Sequence, residues 1–292
     1  MSTEINKAFV QQFSNNLILL SQQKGSKLAG TVMRKDVTGK YAHFDRLGAT
    51  SASIRTSRHG DTPLVDTPHS RRRVTLNDYE VADLIDHQDE VRMLIDPKSS
   101  YAQSMGYALG RTLDDVIIDA ADGNATAIDS ADAASNVAVA HTVDEDFNTA
   151  NSDIIIEKVI EAKRILTANE VAMDEELFFV LDATALYTGL MNENQVQSSD
   201  YNSIKALVKG DLDTYMGFNF VQSERLNDSG ESFKNCLAYA KSGLGLAMGQ
   251  DINVKMSERD DKSYATQVYA SMTAGAVRVE EEKVVVVEAY RA

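Results

Sequence analysis

The sequence has one cysteine, Cys236, and three prolines, all before residue 98. A single thiol excludes an internal disulfide and cannot by itself build a cysteine metal site. Set in an apolar run, Cys236 reads as a small buried hydrophobe. No apolar run reaches the ~18 residues that a membrane-crossing helix needs. The opening MSTEINKAFVQQF lacks the charged-then-apolar layout of a secretion signal. Positive charge is short: the net charge is −15 over 292 residues. Such a surface repels phosphate and argues against a protein that grips nucleic acid, though not against one that encloses DNA without holding it.

Catalytic patterns are also missing. The five histidines are His43, His59, His69, His87 and His141, with no HExxH and no pair four apart. Three of them fall in a basic, glycine-punctuated segment that is poor support for a rigid site. The stretch Gly243-Leu-Gly245-Leu-Ala-Met-Gly249 has glycines at the wrong spacing for a nucleotide loop and no Gly-Lys-Ser/Thr after them. It reads as a tight turn feeding a strand. Asp114 and Asp115 are sequence neighbours, so on a helix they point about 100° apart and cannot form a facing acid pair. They read as a solvated or subunit-facing edge. No catalytic, cofactor-binding or metal-binding residue is therefore assigned. A soluble acidic enzyme remains the rival of another class, and it would need a pocket of converging polar groups.

What is present is one dominant helix. Asp96 and Pro97 read as an N-cap and a first-turn proline. Ala102, Met105, Leu109, Leu113, Val116, Ile117 and Ala120 then recur on one face, and Gly123 reads as a left-handed stop. The result is a rod of roughly 25 residues, against a mean near 11–12 in globular proteins. Gly106 and Gly110 sit inside it at a cost of roughly 1 kcal/mol each relative to alanine. They read either as close packing against a sheet or as a soft point where the helix can bend.

Before the helix the chain changes character twice. Ile5, Phe9, Phe13, Leu17 and Leu20 predict a short N-terminal helix or arm that docks on its own chain or a neighbour. Residues 25–75 are punctuated by glycine and hold short strand-like pieces at Tyr41–Phe44 and Ser53–Thr56, with no run apolar enough to form a core. The segment is basic, with Arg46, Arg55, Arg58, Arg71, Arg72 and Arg73 its main cations. The next twenty residues are acidic, with Asp78, Glu80, Asp83, Asp86, Asp89 and Glu90. A basic block beside an acidic one predicts that they pair, between subunits.

After Val74 a strand broken near Asn77 is expected, then helical turns over His87–Leu94. Past Gly123 come a weak hairpin at Ala138–Val143 and a helix over Ile154–Ala168 capped by Ser152 or Asp153. A buried strand Leu177–Leu181 is followed by a short helix capped by Asp182 and a weak turn at Ser203–Val208. Strands are expected over 216–222 and 252–256, apolar pieces at 233–240 and 244–248 are separated by Ser242-Gly243, and 264–272 reads as strand or helix. Val284–Val287, wholly apolar and β-branched, reads as a central strand. Helices and strands do not alternate strictly, which predicts an α+β fold in place of a doubly wound sheet.

The order of these parts resembles the major capsid proteins of tailed bacteriophages, the Hong Kong 97-type coat fold. Two passages are similar to coat proteins of short-tailed phages: VTLNDYEVADLIDHQDEVRMLIDPKSSYAQSMGYALGRTLDDVI and AKSGLGLAMGQDINVKMSERDDKSYATQVYASMTAGAVRVEEEKVVVVEA. The resemblance implies an N-arm at 1–35, an extended loop at 36–75, a peripheral domain with its spine helix at 76–123 and 250–292, and an axial domain at 124–249. It implies a shell of hexamers and pentamers around double-stranded DNA, made in the bacterial host cytoplasm and found in the virion. A separate scaffolding protein, a portal and decoration proteins are its implied partners, with no cofactor and no membrane. A cellular nanocompartment shell of the same fold is the rival within that class.

Overall fold

The computed structural model describes residues 22–55, 58, 64–86, 98–128, 133–149, 151–171, 174–190, 214–228 and 233–291. The expected N-terminal helix, the His87–Leu94 turns with Asp89 and Glu90, the Asp96–Pro97 start and the Ser203–Val208 turn lie outside them. Two compact units divide the chain. One takes Met1–Ser26, Asn77–Leu113 and Gly249–Ala274, and the other Lys27–Leu76, Asp114–Met248 and Gly275–Ala292.

The dominant helix α1 runs Lys98–Asp122, 25 residues. Met105, Leu109, Leu113 and Ile117 are buried as the spacing predicts, and the buried line then continues through Ile118 and Ala121, leaving Val116 and Ala120 half-covered. The stop at Gly123 is not left-handed. Glycine fits there because a Cβ would lie 2.5 Å from the Asp119 carbonyl oxygen, to which the Gly123 N–H donates at 2.8 Å.

In the first unit, β4 (Asn77–Ile85) pairs antiparallel with β13 (Ala265–Arg278), from Thr266↔Ile85 to Ala274↔Asn77. The strand β12 (Leu244–Arg259) lies on the other side of β13. The predicted strand break falls at Leu76, between β3 (His69–Thr75) and β4.

In the second unit, β1 (Met33–Asp36) pairs in parallel with the start of β12. A four-stranded sheet has the order β2-β3-β5-β6, with β2 at Tyr41–Leu47, β5 at Ala125–Ile128 and β6 at Ala134–Val137. A six-stranded sheet has the order β7-β14-β11-β8-β10-β9. Its members are β7 (Thr142–Val143), β8 (Leu177–Leu181), β9 (Thr214–Tyr215), β10 (Phe218–Gln222), β11 (Phe233–Ala240) and β14 (Val284–Tyr290). The run Val284–Val287 is buried throughout, and each valine taken from water is worth about 1.5–3 kcal/mol. That driving force seats β14 between β7 and β11, so the final strand joins the 124–249 block and not the 250–274 strands. Ala138–Val143 forms no hairpin: β6 pairs with β5, and β7 pairs in parallel with β14.

The helix α2 (Ile156–Ala168) packs on β14 and starts from Ile155 with no side-chain cap. Asp153, expected to cap it, instead accepts from Arg291. Asp182 does cap the next turn, accepting from the Ala185 N–H at 3.0 Å.

Candidate functional site

The basic segment has a core of its own, against the expectation. In β2 and β3 only alternate residues turn inward; they are Ala42, Phe44, Arg72 and Val74, and the apolar three are joined by Leu76. They cluster with Ala125, Ala247, Val277 and Val279, brought from three distant parts of the chain. No single stretch is apolar enough to suggest this, because the cluster exists only once period-two strands stack. The two strands pair antiparallel from Tyr41↔Thr75 to Leu47↔His69.

Arginines fasten the same stem. Arg46 Nη1 donates to Glu281 Oε2 at 2.9 Å, and Arg72 Nη2 donates to Glu281 Oε1 at 2.6 Å. Arg72 and Glu281 are both buried. Burial pushes the Glu281 carboxyl up. Its own backbone N–H, the Arg72 charge and the hydrogen bonds from Arg72 and Arg46 outweigh this and hold it below the usual range. Three residues earlier, fully buried Arg278 donates to the carbonyls of Ala121 and Gly123 at 2.8 Å and of Val137 at 2.9 Å. A cation at the C-terminal end of α1 also matches the helix dipole.

Beyond the stem the described part of the connection is exposed, with Ile54 91% and Leu64 96% accessible. Arg55 and Arg58 are exposed there too. Arg71 Nε donates to Asp45 Oδ1 at 2.6 Å across the stem, and the Arg73 guanidinium lies 5.1 Å from the Tyr41 ring centroid. Asp78, Glu80 and Asp83 lie exposed along β4, and Asp86 just past it. Asp78 accepts from Thr273 at 2.6 Å and Glu80 from Tyr269 at 3.1 Å, across the strand pair. Within the subunit, then, Arg46 and Arg72 are brought to Glu281, which sequence reasoning did not single out. Asp78 and Glu80 are held on β13.

The two helix glycines differ. A Cβ on Gly110 would lie 2.6 Å from Gly25 Cα and 2.8 Å from Ser26 N, whereas one on Gly106 would meet no atom within 4 Å among the described residues. Gly110 is a close-packing position against backbone, not against a sheet. Arg111 secures the same approach, donating to Gln22 Oε1 at 2.9 Å.

Asp114 and Asp115 are not a solvated edge. Asp114 is fully buried and accepts the backbone N–H groups of Lys27 and Leu28 at 3.0–3.1 Å. Asp115 holds Arg225 in a two-pronged pair. Buried Lys158 was also missed. Its ammonium donates to the carbonyls of Glu145 at 3.1 Å and of Ser152 and Glu288 at 2.8 Å, and burial pushes its pKa down. Nearby, Asp144, Glu145 and Glu288 each bring a carboxylate oxygen within 4.8 Å of the others. No histidine or cysteine joins that trio among the described residues.

The arrangement of one long helix, a β-hairpin and mixed sheets superposes on solved phage structures. The chain superposes on a solved structure from Mycobacterium phage Che8 with a TM-score of 0.69, at 16% identity, over 96% of this chain and 97% of that one. The capsid of cyanophage P-SCSP1u gives 0.69 at 18% identity, over 100% and 95%. The capsid of Ralstonia phage GP4 gives 0.70 at 11% identity, over 97% and 96%. At these identities the likeness is one of fold, and it agrees with the α+β expectation. The phage capsid protein family model matches residues 5–290, and the chain belongs to that family. It is a major capsid protein, a structural component of the virion shell. No curated protein sequence matches it.

Proposed function

We propose that the chain self-assembles as hexamers and pentamers into an icosahedral shell enclosing double-stranded DNA, with the 48–68 connection lying over a neighbouring subunit. The observation that carries this is the contrast along the hairpin. Its stem is locked into its own core and onto Glu281, while Ile54 and Leu64 stand almost wholly exposed beyond it. Large apolar side chains left almost wholly exposed beyond an anchored stem are suited to burial in a partner.

Arg46 and Arg72 are paired with Glu281, so charge pairing between subunits is assigned to Arg55, Arg58, Arg73 and Arg71, which also holds Asp45 within the chain, facing Asp78, Glu80, Asp83 and Asp86. Asp89 and Glu90 extend the acidic block in sequence. Each exposed pair is worth only about 0–1 kcal/mol, so contacts are individually reversible and add up over a lattice. Residues near 76–123 and 250–274 act as the peripheral domain, and residues near 124–249 with β14 as the axial domain. Gly106 provides the flexure point of α1 during shell maturation. A scaffolding protein, a portal and decoration proteins are the partners, and the net charge of −15 keeps packaged DNA from adhering.

Negative-stain microscopy of the purified protein tests the reading. Closed shells or capsomer rings are expected, and a preparation that stays monomeric with a scaffolding partner present would overturn it.

A further inference from the structure

Lys40 and Arg73 meet at one ring. The Arg73 guanidinium lies 5.1 Å and the Lys40 ammonium 5.4 Å from the Tyr41 ring centroid. Arg73 Nε is buried without a hydrogen-bond partner, and among the described residues neither cation has an ion pair. The chain carries a net charge of −15, and Arg164, Arg225, Arg259 and Arg291 each hold a carboxylate. Tyr41, His43 and Arg73 project to the stem face opposite Phe44 and Val74, and Tyr41 is 44% exposed. Further along that face Asp45 already answers Arg71, so the unmatched positive charge sits at the Tyr41 end.

The converse is found on β4. Asp78 and Glu80 share one face of that strand, about 6.4–6.8 Å apart at 3.2–3.4 Å per residue, and both are exposed. Their partners are hydroxyls, Thr273 for Asp78 and Tyr269 for Glu80. Among the described residues no cation answers either carboxylate. The hydroxyls hold the two groups in place across β13 without neutralising them.

We propose that the Tyr41 end of the stem seats on the Asp78–Glu80 face of a second copy, with Lys40 and Arg73 each taking one carboxylate. The inference rests on the shell reading above, which supplies the second copy, and narrows its charge pairing to one pair of faces. Tyr41 is the positioning residue. A cation held over a ring has already given up side-chain freedom, so pairing costs it less order than it costs a freely moving side chain. Two cations steadied on one ring select two carboxylates at a fixed spacing, which a single exposed ion pair cannot do. The contact joins two different surfaces, so it runs head to tail and can close a ring of subunits. Duplex DNA is the other anion such a patch could meet. Its long array of phosphates would also face the acidic surface beyond the patch, whereas a second copy brings two carboxylates and no more.

Charge exchange tests the pairing. Lys40→Glu with Arg73→Glu, and separately Asp78→Lys with Glu80→Lys, are each expected to lose particle formation by negative-stain microscopy. All four changes in one chain restore opposite charges across the contact and are expected to recover particles. Normal particles from either double variant would overturn the proposal, as would no recovery from a fourfold variant whose unfolding curve matches the wild type. Normal particle yield with less retained DNA from the stem variant would assign the patch to phosphate and overturn it equally.

A second measurement needs no charge change. Wild-type particles assembled from mixed ¹⁴N and ¹⁵N protein are treated with a carbodiimide, which joins a carboxylate to an amine in direct contact. Peptides of mixed isotope linking Lys40 to Asp78 or Glu80 are expected, and their absence would overturn the pairing even if a charge variant fails to fold. Tyr41→Ala, which keeps every charge, is expected to lower the yield of that crosslink, and Tyr41→Phe, which keeps the ring, to preserve it. Equal yields from the two would overturn the positioning role. Failure of the wild-type chain to form any particle would instead overturn the shell reading, and this pairing with it.

Discussion

Arg72 donates to Glu281 at 2.6 Å, and both side chains are more than nine-tenths buried. The pair joins the hairpin stem to the short turn before β14. Arg46 holds the second oxygen of the same carboxylate at 2.9 Å.

Removing one partner of a buried ion pair strands the other charge, which typically costs about 3–5 kcal/mol. Glu281→Ala should therefore destabilise the unassembled subunit by about that amount, measured by denaturant unfolding. An effect under about 0.5 kcal/mol, the range of ordinary surface substitutions, would show that the clamp is idle.

The same carboxyl gives a pH dependence whose sign is fixed. Its folded pKa lies below the ordinary value, so its contribution is fully present above about pH 4.3, the unfolded value. The contribution is lost as pH falls from there through the folded value. Glu281→Gln should flatten that part of the acid limb of a Tm-against-pH curve relative to the wild type. Superimposable acid limbs would refute the assignment.

The two helix glycines should respond with opposite signs. Gly106→Ala meets no atom within 4 Å among the described residues and should stabilise the subunit by up to about 1 kcal/mol through helix propensity. Gly110→Ala must push back the backbone of Gly25 and Ser26, which should cost about 1–3 kcal/mol. Thermal melts of the two variants check this, and equal shifts would contradict the close approach at Gly110.

Stem and tip should separate folding from assembly. Phe44→Ala removes a buried ring and should cost about 3–5 kcal/mol of subunit stability. The double change Ile54→Ser and Leu64→Ser should leave stability within about 0.5 kcal/mol and lower particle yield. Unfolding curves paired with particle counts by microscopy decide the matter, and normal yield from the tip variant would remove the tip from the contact.

Burial pushes the Cys236 thiol up to about 12. It should be inert to a disulfide-exchange reagent at neutral to mildly alkaline pH in the native protein and react once denatured. Prompt native reactivity would contradict its place in β11.

Much of this architecture was legible because period and length suffice to find it. The step of three and four from Met105 to Ile117 located α1, and Leu177–Leu181 and Val284–Val287 declared themselves as buried strands. Phe44 and Val74 did not, since each is one inward residue among polar neighbours and their shared cluster spans distant segments. Asp114 looked like half of an acidic surface pair. Its capping of Lys27 and Leu28, far away in sequence, has no local signature. The Arg46–Glu281–Arg72 clamp was hidden for the same reason: the arginines sat beside an acidic block, and their actual partner lay near the other end of the chain. Local charge pattern measures what is nearby along the chain, whereas a buried ion pair is chosen by the tertiary fold.

The parallel pairing of Val143 with Val287 bears on how the subunit comes into being. It closes a very long loop, and the entropy of that closure must be met before the contact rewards it. A chain in which β14 has not yet docked leaves one edge of β11 without its partner, and an unpaired apolar strand edge is a site of aggregation. Low-temperature expression or added chaperone should accordingly raise soluble yield more than any change to the finished surface.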